Sequence, residues 1–133
     1  MRILCAVFIK PQNYNNYNSN VLAIKETWGK RCDILHFVGP QDPSLPSIKV
    51  NCDHNNMDQL LCQKKMVFTY FYNKYKHLFD WILVVYENMY VVIENLQHLV
   101  SHYSANEPIW FGCPFRLTHS NDITFMRASM IYK

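Results

Sequence analysis

Ile3-Leu4-Cys5-Ala6-Val7-Phe8-Ile9, closed by Lys10-Pro11, is an unbroken apolar run with an abrupt polar stop. A strand with one wet face alternates apolar and polar residues, so a run without alternation belongs to a strand covered on both faces, as in a mainly parallel sheet. The Asn- and Tyr-rich stretch from Gln12 to Asn18 reads as a polar loop. After it, Ser19 or Asn20 can cap a helix carrying Val21, Ile24 and Trp28 at spacings of three and four, with Gly29 near its end. Strand, loop and helix together make the first half of a crossover unit.

Further along, Ile34 to Val38 reads as a second strand closed by Gly39-Pro40, and the proline-punctuated segment from Gln41 to Pro46 leads to a short third strand around Ile48 to Val50. Asp58 can start the longest helix. Leu61, Phe68, Tyr72, Tyr75 and Phe79 fall close to one face of it and are expected in the core, with Lys64, Lys65, Lys74 and Lys76 mostly outside. Trp81 to Val85 is the most hydrophobic strand, and Val91 to Tyr103 has a helical pattern through Val92, Leu96 and Leu99. The order strand, helix, strand, strand, helix, strand, helix predicts an α/β sheet with right-handed crossovers, in which ligands gather beyond the carboxyl ends of the strands. No internal repeat, low-complexity tract or linker interrupts it, so residues 1–133 are expected to form a single domain.

Composition narrows the function classes. The chain has 133 residues, half of them apolar, which is enough for one compact core. A net charge of +3 with scattered Lys and Arg leaves no footprint for nucleic acid and no polybasic membrane patch. The five cysteines, Cys5, Cys32, Cys52, Cys62 and Cys113, contain no CxxC pair, against a zinc cage or a thioredoxin motif. Their spread fits disulfides in an oxidising compartment with one thiol left over, and equally fits five buried reduced thiols. Met1 leads straight into the first strand, with no signal-peptide pattern and no apolar run of bilayer length.

The place to look for chemistry is the carboxyl end of the Trp81 strand, where the chain continues Tyr86-Glu87-Asn88-Met89-Tyr90. A divalent ion bridging this edge to a diphosphate would need carboxylates, and only Glu87 is ionic. Asn88 can instead cap the next helix. His98 and His102 are four apart on that helix, yet no Glu follows the first His and no acid lies in the next turn to complete a metal set. GxSxG, P-loop and GxGxxG motifs are absent, and nothing in the local sequence activates a Cys-His nucleophile. Lys25-Glu26-Thr27-Trp28 and Arg31-Cys32 read as the end of an amphipathic helix with Trp28 in the core. Cys5 and Cys32 can meet, because that helix returns alongside the strand.

Several of these segments also resemble a known family. Arg2-Ile3-Leu4-Cys5, Lys10-Pro11-Gln12-Asn13, Lys25 to Trp28, Arg31-Cys32, Asp58-Gln59-Leu60, Asp80-Trp81, Tyr90-Val91, Glu94-Asn95-Leu96, and Glu107-Pro108-Ile109 with Phe111-Gly112 resemble, in order and spacing, the amino-terminal half of the core 1 β1,3-galactosyltransferases of glycosyltransferase family 31. The resemblance spans about residues 2–115. It implies a Rossmann-like GT-A glycosyltransferase fold of the α/β class, here truncated to the amino-terminal nucleotide-sugar-binding half. It also implies UDP-galactose as donor, Mn²⁺ as cofactor, a GalNAc-bearing glycoprotein as acceptor, a type II Golgi or endoplasmic-reticulum membrane location and a Cys5–Cys32 disulfide.

Three departures shape the functional expectation. Active members carry three consecutive aspartates where this chain has Tyr86, Glu87 and Asn88; the family's glycine-rich turn corresponds to Met126-Arg127-Ala128-Ser129; and the sequence stops at Lys133, before the acidic region that supplies the catalytic base. Donor contacts are then expected at Asp58, Glu87 and Asn88, with Glu87 the one candidate metal ligand, Lys25 and Trp28 as scaffold, and no catalytic residue. A sister branch, the endoplasmic-reticulum chaperone of the core 1 galactosyltransferase, also lacks the aspartates and resembles this chain in Lys10-Pro11, Lys25 to Trp28, Cys32-Asp33 and Ile93 to Leu96. The expectation is a catalytically degenerate, chaperone-like family member, whose partner is a full-length galactosyltransferase. The alternatives are an active glycoprotein-N-acetylgalactosamine 3-β-galactosyltransferase and a gene fragment without independent function.

Overall fold

The computed structural model describes residues 1–52, 57–112, 114–116, 123–125 and 130–132, with only the backbone course described for Gln12, for 57–60 and for the stretches beyond 113. Its elements are β1 (Ile3–Phe8), α1 (Asn18–Glu26), β2 (Ile34–Val38), β3 (Ser47–Ile48), α2 (Met57–Tyr75), β4 (Trp81–Tyr86), α3 (Ile93–Val100), β5 (Pro114–Arg116), β6 (Ile123–Phe125) and β7 (Met130–Tyr132). Five strands form one sheet in the order β3-β2-β1-β4-β7, and β5 pairs β6 separately. β1 runs parallel to both β2 and β4, β2 is parallel to β3, and β7 lies antiparallel on β4. The fold is α/β, the Rossmann-like amino-terminal half of a GT-A arrangement.

The unalternating strands are explained by helices on both faces. Ile3, Cys5 and Val7 of β1 and Ile9 just after it join Trp81, Leu83 and Val85 under α1 and α3, contributing to one core. Leu4, Ala6 and Phe8 join Ile82 and Val84 under α2, contributing to the other. Every β1 residue is buried. At the amino-terminal end of the strands, Asp33 accepts the Ile3 N–H at 2.7 Å and Asp80 accepts the Arg2 N–H at 2.7 Å, which closes these two donors.

Helix boundaries and faces depart from the sequence pattern in instructive ways. α1 begins before Ser19 and Asn20, with Tyr17 at its cap and the Val21 N–H on the Tyr17 carbonyl, so neither residue caps it. It also ends at Glu26, and Trp28 lies in a following 3-10 turn, Trp28–Arg31, still 1% exposed. That tight turn needs Gly29, where a β-carbon would stand 2.6 Å from the Ile24 carbonyl oxygen.

On α2 the buried line runs through Gln63, Val67 and Phe71, not through Leu61 and Tyr72, which are 69% and 63% exposed. At about 100° per residue Leu61 and Tyr72 sit roughly 120° and 140° round the helix from Val67, past the edge of its inward stripe. Phe68 and Tyr75 pack at the margin as expected, and Phe79 packs there from beyond the helix end. α3 turns Ile93, Leu96 and Val100 inward, which leaves Val92 and Leu99 in solvent. The third strand sits slightly earlier than its apolar residues suggest, at Ser47–Ile48, because the Pro46 and Ile48 carbonyls accept the Phe37 and Gly39 N–H groups.

Candidate functional site

Chain order reverses at β1, since β2 and then β3 follow on one side while β4 lies on the other. Such a switch point opens a crevice at the carboxyl ends of the strands, and it is where sheets of this class take ligands. Here the crevice is formed by Phe8-Ile9-Lys10-Pro11 leaving β1 and by Tyr86-Glu87-Asn88 leaving β4, paired in register at Phe8 and Tyr86.

Glu87 is the acidic group at this place, and it is 2% exposed. Its N–H donates to the Phe8 carbonyl at 3.1 Å, carrying the β1–β4 ladder one step past the strand. One carboxylate oxygen accepts the Lys10 N–H at 3.2 Å, and the other accepts the Asn13 side-chain amide in a short hydrogen bond. Asn13 is presented by the 3-10 turn Pro11–Asn13 that ends β1. The carboxylate therefore works as a clip between the two strand ends, with each oxygen already carrying a donor.

Around the clip, Asn88 is exposed and Tyr86 is half-buried on the α2 side. The Lys10 ammonium lies 5.4 Å from the centre of the Tyr86 ring. The Met89 N–H bonds back to the Tyr86 carbonyl at 3.1 Å, turning the chain toward α3, whose cap position is Val92; Asn88 is not its cap. A cleft of about 200 Å³ lies between this turn and α1, bordered by Asn20, Thr27, Glu87, Asn88 and Tyr90. A second hollow of about 370 Å³ opens at the ends of β2 and β3, between Tyr14, Gly39, Gln41 and Lys49. Its Tyr14 hydroxyl accepts the side-chain amide of Gln63 at 3.2 Å, which fixes the turn after β1 to α2 and accounts for the buried Gln63.

Trp28 is core, and the Lys25 ammonium donates to the Ser44 carbonyl at 3.0 Å, tying α1 to the loop between β2 and β3. Asp42 in that loop is held below the usual carboxylate range, first by the Ser44 hydroxyl and N–H and then by the Tyr17 hydroxyl. Asp58 falls in the first turn of α2, and its side chain lies outside the described residues, as do Cys113 and Met126 to Ser129. So Glu87 and Asn88 are brought together at the crevice, adjacent in sequence.

The structure pairs Cys5 with Cys32, Sγ to Sγ 2.09 Å, as the resemblance implied. It also pairs Cys52 with Cys62, which spacing alone had left open among the remaining cysteines. His98 and His102 are exposed and stack edge to face with ring centres 5.0 Å apart, and His102 Nδ1 is bound to the His98 carbonyl at 2.8 Å. Among the described residues no three His, Cys, Asp or Glu side chains converge as metal ligands, and no helix is long and apolar enough to cross a membrane.

The donor set at the switch point does not fit a divalent ion. Mn²⁺ or Mg²⁺ takes several hard oxygen ligands, and here the carboxylate is enclosed and doubly hydrogen-bonded, beside a phenol and a neutral amide.

Residues 5–131 match the family model described as Fringe-like. The chain is 26% identical over 117 residues to glycoprotein-N-acetylgalactosamine 3-beta-galactosyltransferase 1 of Xenopus laevis, a match covering 87% of this chain and 31% of that protein. It is 24% identical over 98 residues to a beta-1,3-glucosyltransferase of Homo sapiens, covering 72% of this chain and 19% of that protein. The matched part is thus less than a third of either curated relative's length.

Proposed function

The chain belongs to the Fringe-like family, and from that premise we propose that it is a catalytically degenerate, chaperone-like relative of the core 1 β1,3-galactosyltransferases of mucin-type O-glycan biosynthesis. At the coarser level it is a glycosyltransferase-family protein of the GT31 type, with relatives that are a galactosyltransferase and a glucosyltransferase. Residues 1–133 are taken as a single partial GT-A domain.

One observation carries the proposal: both oxygens of Glu87 are spent on the Lys10 N–H and the Asn13 amide, inside the protein. Transfer of a sugar from UDP requires charge to be neutralised on the departing diphosphate, and in metal-dependent enzymes a divalent ion held by carboxylates supplies that neutralisation. Each Glu87 oxygen keeps a further lone pair, but a single buried carboxylate beside a phenol and a neutral amide is too small a ligand set to hold that ion. Binding then outlasts catalysis, and the partner is a full-length galactosyltransferase that shares this fold. Two disulfides support an oxidising compartment, the lumen of the endoplasmic reticulum or Golgi.

The test is transfer of galactose from UDP-galactose to a GalNAc-bearing peptide, with and without Mn²⁺, alongside co-purification with a full-length core 1 galactosyltransferase. The expected outcome is no transfer and a recovered complex. Mn²⁺-dependent transfer that is abolished by Glu87→Gln would instead make the chain an active glycoprotein-N-acetylgalactosamine 3-β-galactosyltransferase, the alternative reading.

A further inference from the structure

α3 ends at Val100, and the chain just beyond it is tied back to the helix by side chains. The Ser101 hydroxyl donates to the His98 carbonyl at 2.7 Å, and the same carbonyl is bound by His102 Nδ1 at 2.8 Å. A carbonyl oxygen only accepts, so Nδ1 carries the proton and His102 is left with its lone pair on Nε2. Metal-ligating histidines are prepared in this way, one ring nitrogen donating to a backbone carbonyl while the other binds the ion. His98 stands one turn earlier; both residues are exposed, and their ring centres are 5.0 Å apart. A tetrahedral ion about 2.0–2.1 Å from one nitrogen of each ring holds the ring centres about 5 Å apart. The end of a helix is also the negative end of its dipole, where positive charge is favoured.

Among the described residues no third His, Cys, Asp or Glu joins the pair, and Glu94, one turn before His98, is bound to Arg31 at 3.1 Å. The pair is also separate from the crevice. Tyr103 stacks on Phe111 with 4.8 Å between ring centres, and Phe111 on Trp81 with 6.0 Å. The chain leaving α3 is thus anchored to the first residue of β4, whereas Glu87 follows the last.

We propose that His98 and His102 together bind one divalent ion of the imidazole-seeking class that Zn²⁺ represents, with water in the remaining positions. The ion is a structural staple. One ligand lies in the helix and the other beyond its end, so binding fastens the last turn of α3 to the chain that leaves it. Mn²⁺ is selected against, because the pair offers two nitrogens and no carboxylate. With two protein ligands the site is weaker than a closed four-ligand cage. Nothing in it depends on the state of Glu87.

The test is calorimetric titration of the untagged, disulfide-bonded chain with Zn²⁺ and with Mn²⁺, alongside urea unfolding with and without Zn²⁺. The expected result is one Zn²⁺ bound per chain, far weaker binding of Mn²⁺, and an unfolding midpoint raised by Zn²⁺. Losing a group that merely supports a metal ligand costs about 10–100-fold in affinity, so His98→Ala and His102→Ala are each expected to weaken Zn²⁺ at least about tenfold. Neither variant should keep the Zn²⁺-dependent rise in midpoint. His77→Ala, which removes an exposed histidine past the end of α2, is expected to change nothing. Both histidines of the pair are exposed, and circular dichroism checks that each variant keeps the parent fold. Zn²⁺ affinity unchanged in either His98→Ala or His102→Ala would overturn the proposal, as would an equal loss in His77→Ala or Mn²⁺ binding as tightly as Zn²⁺. Absence of Zn²⁺ binding overturns it as well, and leaves the degenerate-enzyme reading of the crevice standing.

Discussion

Replacing Glu87 separates a clip from a metal ligand by sign as well as size. In Glu87→Ala the Lys10 N–H and the Asn13 amide both lose their acceptor at a position 2% exposed, where water reaches them poorly. Each stranded donor costs about 1–3 kcal/mol, so the pair, with the small void left behind, comes to about 3 kcal/mol. Out of a total stability of about 5–15 kcal/mol that is a large fraction. With a urea dependence of about 1–3 kcal/mol per molar, the unfolding midpoint should fall by roughly 1–3 M with an unchanged slope. Glu87→Gln keeps one acceptor and turns an NH₂ toward the other donor, so about 1–2 kcal/mol is expected. A carboxylate held ready for Mn²⁺ behaves oppositely: removing it without metal costs almost nothing, and Mn²⁺ raises the midpoint of the parent alone. Urea unfolding followed by tryptophan fluorescence, with and without Mn²⁺, decides between them. A Glu87→Ala unfolding free energy within about 0.5 kcal/mol of the parent would refute the clip.

Two further outcomes follow from the same framework. Loop-closure entropy makes the Cys5–Cys32 bridge, with a sequence separation of 27, worth about 3.5 kcal/mol, and the Cys52–Cys62 bridge, with a separation of 10, about 2.7 kcal/mol. Double Cys→Ser variants compared in urea should therefore rank in that order, and the reverse order would show that chain entropy is not what the bridges contribute. His36 in β2 shares Nε2 with the Tyr75 hydroxyl at 3.0 Å and Nδ1 with the Pro46 carbonyl at 3.3 Å. Burial first, and then the nearby Lys74 charge, push its pKa below the ordinary histidine value, against an upward pull from the Pro46 carbonyl. The unfolded chain takes the proton more readily, at about pH 6.5, so this contribution to stability is complete above that value and is lost as pH falls through it. Unfolding midpoints measured between about pH 7.5 and 5.5 should decline, and His36→Gln should flatten the decline; an equal slope in both proteins would count against it.

Much of the sheet can be read directly from sequence because its signal is local. Ile3 to Ile9 and Trp81 to Val85 are apolar at every position, and that pattern is produced by cover on both faces, whichever helices provide it. The faces of α2 and α3 were less legible. Hydrophobicity alone nominates Leu61 and Tyr72, while the inward position of Gln63 depends on a hydroxyl partner, Tyr14, that lies 49 residues away. The sequence points to the β4 strand end where Glu87 lies, but the state of that carboxylate was hidden for the same reason. A lone Glu between Tyr and Asn says that carboxylates are few; it does not say that Asn13, 74 residues earlier, has already claimed the one that remains. The signal was in the sequence, as an Asn at the end of Lys10-Pro11-Gln12-Asn13, yet only the parallel pairing of β1 with β4 turns it into a contact.

β1 is the hub of the sheet although it is made first. One edge finds β2 at once, beginning with Leu4 against Ile34, while the other must wait for Trp81 to face Ile3. During synthesis on a ribosome, an apolar ribbon with an open edge is thus exposed while about fifty further residues emerge, the kind of interval in which nascent chains misassociate. The Cys5–Cys32 bridge can form early in that interval and fasten the completed side, so its oxidation at that stage would limit the hazard to a single edge.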